Sequence, residues 1–72
     1  MATQMAEVYV NEDSTHLESD KRIWVEVVAA NSTGSHHLGD VLYATTWYAT
    51  EIEALADASC WMNANNVHEV PS

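Results

Sequence analysis

The chain has 72 residues, with eleven Asp and Glu against two Lys and Arg, and its formal net charge is −9 at pH 7. A surface this acidic repels the phosphates of nucleic acids and membranes, so the composition argues against direct binding to either. Hydrophobic residues make up 47% of the chain, more than a disordered acidic tail contains. We therefore predict a single folded domain over residues 1–72.

The first half of the chain predicts two strands separated by a loop. Residues 5–10 alternate weakly between apolar and polar, which predicts a first strand. Residues 11–20 are polar and are predicted to be a mobile acidic loop. Residues 22–30 form the clearest strand, because Ile23, Val25 and Val27 alternate with Trp24, Glu26 and Val28.

The next segment predicts a hairpin with a long connection. Residues 31–39 are rich in Asn, Ser, Thr and Gly, which is typical of turns. Residues 40–48 are β-prone, and their apolar side chains alternate along the segment. This third strand is predicted to pair antiparallel with the second strand.

A helix is predicted to begin after Thr50, because Thr50 and Glu53 have the spacing of a capping box. Helical spacing places Ile52, Leu55, Ala56, Ser59 and Met62 on one face, which we expect to pack on the sheet. Asn65 and Asn66 are predicted to end the helix, because Asn tolerates the left-handed conformation. Residues 67–70 are compatible with a short last strand before Pro71.

These elements predict an α+β fold with the order β-β-β-α, with or without a short final strand. Its sheet is expected to have three or four antiparallel strands, with the helix packed on one face. The face toward the helix is predicted to carry Val8, Val10, Ile23, Val25, Val27, Val41, Tyr43 and Trp47. The other face is then predicted to carry Glu7, Tyr9, Trp24, Glu26, Val28, Leu42 and Tyr48.

The face turned away from the helix is a candidate partner-binding or dimer surface. An ordinary solvated sheet face carries Thr, Lys, Glu and Ser, whereas this one mixes aromatic and apolar side chains with carboxylates. The alternative is that the N-terminal segment or the long loop covers this face. The candidate contact residues are Tyr9, Trp24, Glu26, Val28, Leu42 and Tyr48.

The acidic residues supply a second set of candidate contacts for a basic partner. One group lies in the first loop and one on the helix, where Glu53 and Asp57 are like charges four residues apart. A plain solvated acidic surface is the alternative. The candidates are Glu12, Asp13, Glu18 and Asp20 in the loop, and Glu51, Glu53 and Asp57 on the helix.

The sequence lacks the common motifs for catalysis, metal binding and export. The chain lacks a Gly-rich phosphate loop and the G-x-S-x-G pattern, so we predict no enzymatic activity and no cofactor. His36, His37 and Asp40 do not have the spacing of three or four converging ligands, so we predict no metal. The first ten residues lack the basic start of a signal peptide, and no apolar run reaches membrane length, which predicts a cytoplasmic protein.

In size, acidity, single α+β domain and lack of enzymatic motifs, the chain resembles the small phage-encoded inhibitors of bacterial defence, of which anti-CRISPR proteins are the best-known group. The resemblance implies a non-catalytic DNA mimic in the host cytoplasm. Its partner would be a host CRISPR-Cas complex with a basic, nucleic-acid-reading surface. The alternative is a homodimeric protein-interaction module whose acidity only gives solubility or adaptation to salt.

Overall fold

The computed structural model describes residues 3–13 and 22–71, which form a four-stranded sheet with one helix. The elements in chain order are β1 (Gln4–Glu12), β2 (Ile23–Ala29), β3 (Val41–Ala44), α1 (Glu51–Ala64) and β4 (Val67–Glu69). The strand order in the sheet is β3-β2-β1-β4, and α1 packs on one face. The predicted α+β class with one covering helix is confirmed.

The sheet is mixed, because its fourth strand runs parallel to its neighbour. β1 pairs antiparallel with β2, and β2 with β3, whereas β4 pairs parallel with β1. An entirely antiparallel sheet was expected. The connection through α1 carries the chain from the β3 edge across the sheet to the opposite edge, and such a crossover returns the chain in its original direction.

The first strand is longer than the sequence indicated. Asn11 and Glu12 were assigned to the loop, but they belong to β1 and pair with Trp24 and Ile23. The pairing with the regular β2 strand extends β1, since polar side chains are tolerated at an open strand end. Asp13, the next residue of the predicted mobile loop, is described just after β1, and residues 14–20 lie outside the described residues.

The core lies between the sheet and α1. Val25 and Val27 of β2 are fully buried, and they face the small side chains Ala54 and Ala58 of the helix. Ala6, Met62 and Val67 complete this buried cluster. The helix face differs from the prediction, since Ala56 and Ser59 are exposed and 81% of Ile52 is accessible. Small residues face the sheet because they let the helix axis approach it closely.

β3 contains an irregularity that changes which side chains face the helix. Val27 pairs with Tyr43 but Val28 pairs with Val41, so Leu42 is an extra residue on β3. Such a bulge reverses the alternation of the strand on one side of it. Leu42 accordingly packs against the core, and Val41 lies on the opposite face with 56% of its surface accessible.

The third strand is also shorter than the predicted 40–48. The Thr45 hydroxyl accepts a hydrogen bond from the Val25 N–H at 2.9 Å, in place of a backbone carbonyl. The chain leaves the regular ladder here and returns through one bridge between Ile23 and Tyr48. This irregular step turns Tyr48 to the helix side and Trp47 to the other side, the reverse of the prediction.

Both ends of α1 follow the sequence signals. The Thr50 hydroxyl accepts a hydrogen bond from the Glu53 N–H at 3.3 Å, as the capping box predicts. At the other end, Asn66 has a φ of 55°, the left-handed conformation expected of Asn after a helix. The turn at Asn65 and Asn66 then leads directly into β4.

Candidate functional site: the open face of the sheet

The face of the sheet opposite α1 forms the most extensive candidate surface, and we call it the open face. Strand register places three β1 residues next to three β2 residues on this side, because their neighbours along each strand point to the helix. β3 contributes through its pairing with Val28 and Glu26, and Trp47 contributes through its contact with Trp24. The open face comprises Glu7, Tyr9, Asn11, Trp24, Glu26, Val28, Val41, Ala44 and Trp47.

Aromatic side chains form one end of the open face. The ring centroids of Trp24 and Trp47 are 4.6 Å apart, and the ring planes are tilted by 54°. This geometry is the tilted contact that aromatic pairs favour, and it holds each indole in place. Tyr9 lies on the neighbouring strand with 48% of its surface accessible. The result is an apolar surface of fixed shape that remains partly accessible to a partner.

Two carboxylates lie among these aromatic side chains. Glu26 lies opposite Tyr9 in the register and accepts a hydrogen bond from the Asn11 amide at 3.3 Å. Glu7 accepts a hydrogen bond from the Tyr9 hydroxyl. That hydrogen bond, with the negative charge of Glu7, raises the pKa of Tyr9 above its ordinary value. The open face therefore presents negative charges whose positions are restrained by neighbouring side chains.

The structure changes the membership of the predicted surface. Tyr9, Trp24, Glu26 and Val28 lie on the open face as predicted. Leu42 and Tyr48 do not, because the irregular third strand turns both toward α1. Val41 and Trp47 take their places, although strict alternation assigned them to the core. No local sequence pattern marks the extra residue that causes the exchange.

The remaining acidic candidates are spread over other parts of the molecule. Glu51 and Glu53 are exposed in the first turn of α1, where the positive end of the helix dipole stabilises them. Glu12 is exposed at the end of β1. Asp13 is half-buried, and its N–H donates to the Arg22 carbonyl at 2.9 Å. Glu18 and Asp20 lie outside the described residues.

Asp57 is held between two tyrosines. The Tyr43 hydroxyl donates to one carboxylate oxygen at 2.6 Å, and the Tyr48 hydroxyl donates to the other at 2.5 Å. Both hydrogen bonds lower the pKa of Asp57. The hydrogen bond to the carboxylate raises the pKa of Tyr43 to about 12 and also raises that of Tyr48. Asp57 thus links α1 to β3 through Tyr43 and to the following residues through Tyr48. This structural role explains why a second negative charge lies four residues after Glu53.

We expect Tyr43→Phe to lower the free energy of unfolding by about 1–2 kcal/mol at pH 7, because it removes a hydrogen bond to a charged acceptor at a half-buried site. Phe retains the ring that stacks on Trp61. Urea unfolding followed by circular dichroism measures the change. The control is Tyr9→Phe, which removes an exposed hydroxyl and should change stability much less.

The same hydrogen bonds predict how the stability difference between the parent and Tyr43→Phe depends on pH. Because folding lowers the pKa of Asp57, this carboxylate adds to the free energy of unfolding at neutral pH. Its contribution to stability is lost as the pH falls through the folded-state pKa. Because folding raises the pKa of Tyr43 from 10.0, the Tyr43 hydroxyl adds to the free energy of unfolding below pH 10. Its contribution to stability is lost as the pH rises toward about 12. A difference between parent and Tyr43→Phe that stays constant from pH 3 to pH 11 would contradict this assignment.

A second feature is a cleft of about 680 Å³ at one end of the molecule. It lies between the β2–β3 connection, the C-terminal end of α1 and the adjoining ends of β1 and β4. Its walls include Gln4, His36, Leu42, Trp61 and His68. Polar side chains from separate segments therefore converge around an apolar floor.

Neither metal ligands nor a membrane span is found in the described part of the chain. Among residues 3–13 and 22–71, no three His, Cys, Asp or Glu side chains group closely enough to hold a metal ion. His36 and His37 lie in the β2–β3 connection, and Asp40 accepts a hydrogen bond from the His37 N–H at 2.9 Å. The described helix is too short and too polar to cross a bilayer.

Comparison of the chain with protein-family models, curated proteins and solved structures found no match.

Proposed function

We propose that this protein is a non-catalytic inhibitor that binds the basic surface with which a bacterial defence complex reads DNA. The open face supplies the contact, with Glu7 and Glu26 in the place of DNA phosphates. The observation that carries the proposal is the presence of restrained carboxylates among partly accessible aromatic side chains on a sheet face that α1 does not cover. This rests on the chemistry of the surface and on the resemblance in size and acidity.

The negative charge of the protein favours a partner with a basic surface. The net charge of −9 produces a field that attracts a positively charged surface and accelerates encounter at low salt. The open face includes the carboxylates of Glu7 and Glu26, and Arg22 pairs with Asp13 just beyond the Trp24 end of this face. A surface that binds DNA through Lys and Arg presents the complementary charge. Attraction over the whole molecule thus acts in the same direction as the local contacts.

The aromatic residues support a specific contact in addition to charge attraction. Trp and Tyr are enriched among the residues that dominate protein interfaces, because they bury large areas at little cost in conformational entropy. Trp24 and Trp47 already contact each other, so less freedom is lost when a partner covers them. Carboxylates without these anchors would give weaker, less selective binding.

The same charges disfavour the homodimeric alternative through this face. An interface formed by the open faces of two copies would contain Glu7 and Glu26 of each copy, and each copy carries a net charge of −9. Like charges gathered at an interface oppose association. A basic partner turns the same charges into favourable contacts.

Displacement by DNA tests the proposed function. The tagged protein is immobilised and exposed to a nuclease-treated bacterial lysate, and captured protein is eluted with a DNA duplex at constant ionic strength. We expect a basic, DNA-binding complex to be captured and then released by the duplex. Capture should also weaken steeply as salt is raised, since ions screen charges over about 8 Å at physiological strength.

Two double variants with equal charge changes identify the contact surface in this assay. Glu7→Gln with Glu26→Gln alters the open face, and Glu51→Gln with Glu53→Gln alters the start of α1. We expect the first pair to lose most of the captured complex and the second pair to retain it. A captured complex that DNA does not displace, or equal losses in both pairs, would contradict the proposal.

A further inference from the structure

The cleft at the end of the molecule has the size of a small-molecule site and is separate from the open face. Its volume of about 680 Å³ falls within the range of ligand pockets. Leu42, Trp61 and Val67 supply its apolar part, and all three also pack against the protein core. His36 and Asn66 are exposed and supply hydrogen-bonding groups at its rim.

Several of the walls are held in place by contacts inside the protein. The Gln4 amide donates to the Asn31 side-chain oxygen at 2.9 Å and accepts from the Thr33 hydroxyl at 2.9 Å. These contacts join the β2–β3 connection to β1 on one side of the cleft. A site whose walls are fixed before binding loses little entropy when a ligand enters.

The indole of Trp61 is fixed on the other side of the cleft. It stacks on the ring of Tyr43, with centroids 5.0 Å apart and planes within 5° of each other. Tyr43 is itself tied to Asp57, so the stack is anchored to the helix at two points. The Asn65 amide also donates to the Trp61 carbonyl at 2.8 Å. Aromatic side chains held in this way are the usual surfaces on which nucleobases pack.

The cleft differs in charge from the rest of this acidic chain. Among the described residues, those that line the cleft include no Asp, Glu, Lys or Arg. An ionic ligand would therefore find no opposite charge in the walls, and an anion would also be repelled by the net charge of −9. An uncharged ligand with an apolar face and a hydrogen-bonding edge matches both the floor and the rim.

We propose that this cleft binds an uncharged nucleoside. The planar base would pack against Trp61, Leu42 and Val67, and its edge and ribose would bond to the His36 imidazole and the Asn66 amide. The corresponding nucleotide binds more weakly, because its phosphate enters a negative field without a cation in the lining. This site is independent of the function proposed for the open face.

The test is an NMR titration of the ¹⁵N-labelled protein with adenosine, guanosine, cytidine and uridine. Each is added up to about 10 mM, so that binding with a dissociation constant of about 1 mM still approaches saturation. At least one nucleoside should shift the Trp61 indole N–H and the amides of Gly34 and Asn66 in a saturable manner. The indole signals of Trp24 and Trp47, on the open face, should not move. The matching nucleoside monophosphate should bind more weakly at low salt than the nucleoside does.

Neighbouring histidines provide a matched pair of variants. His36 lines the cleft, whereas His37 does not. We expect His36→Ala to raise the dissociation constant about tenfold, the loss of one good hydrogen bond, and His37→Ala to change it less than about twofold. The spectra without ligand show whether each variant is folded. The proposal is overturned if no nucleoside shifts these signals, if a methyl glycoside binds and nucleosides do not, or if the two variants weaken binding equally.

Discussion

Replacing Val41 by Arg is expected to lower the affinity for the basic partner by at least about thirtyfold, which corresponds to about 2 kcal/mol. Val41 lies on the open face opposite Val28, and 56% of its surface is accessible. Arg at this position places a cation where the partner is positive and adds bulk within the contact. Like charges brought together at an interface oppose association strongly. Titration of the parent and the variant against the captured complex measures the effect.

Ile52→Arg is the matched control for this experiment. Ile52 is also an exposed aliphatic residue, with 81% of its surface accessible, but it lies in the first turn of α1. Both substitutions change the net charge by the same amount, so any difference between them reports position and not total charge. We expect less than about a threefold loss for Ile52→Arg, as for a charge outside the contact. The reverse order of effects would assign the contact to the acidic start of the helix.

Ala58→Leu is expected to lower the free energy of unfolding by about 1–3 kcal/mol, because it inserts three additional carbon atoms into a packed core. Ala58 is 1% accessible and lies in the buried cluster with Val25 and Val27. The larger side chain must push α1 away from the sheet or adopt a strained rotamer. Urea unfolding gives the value, and a domain this small will show the loss clearly.

The same substitution two residues earlier is the control. Ala56 is exposed on α1, so Ala56→Leu should change stability by less than about 0.5 kcal/mol. Comparing Ala58→Leu with Ala56→Leu tests the observed orientation of α1 against the one predicted from helical spacing, in which Ala56 faces the sheet. A large loss at Ala56 with little change at Ala58 would show that the helix is rotated.

The signals that predicted this fold correctly are local ones. From Trp24 to Ala29, β2 alternates between half-buried and buried residues, and it lies in the middle of the sheet. The helix start was predictable because a single hydroxyl at Thr50 caps it, and its end because Asn66 accepts a positive φ. Each of these features depends on a few adjacent residues, so the sequence carries enough information to place them.

The errors arise where distant parts of the chain decide the outcome. The extra residue at Leu42 is accommodated only through pairing with β2, so strict alternation failed for Val41, Leu42, Trp47 and Tyr48. The buried helix face consists largely of alanine, which a search for large apolar residues overlooks. Most of the open face was still predicted, because β1 and β2 are regular. The cleft was not, because its walls come from four separate segments.

The parallel pairing of β4 with β1 has a consequence for the order in which this protein folds. Gln4, Met5 and Ala6 pair with Val67, His68 and Glu69, near the opposite end of the chain. The β1–β2 and β2–β3 pairs close shorter loops, which lose less entropy and form sooner. During synthesis, the first strand therefore has its second neighbour only after residues 67–69 have left the ribosome. We expect completion of the sheet to be the final, long-range step, in which Val67 enters the core.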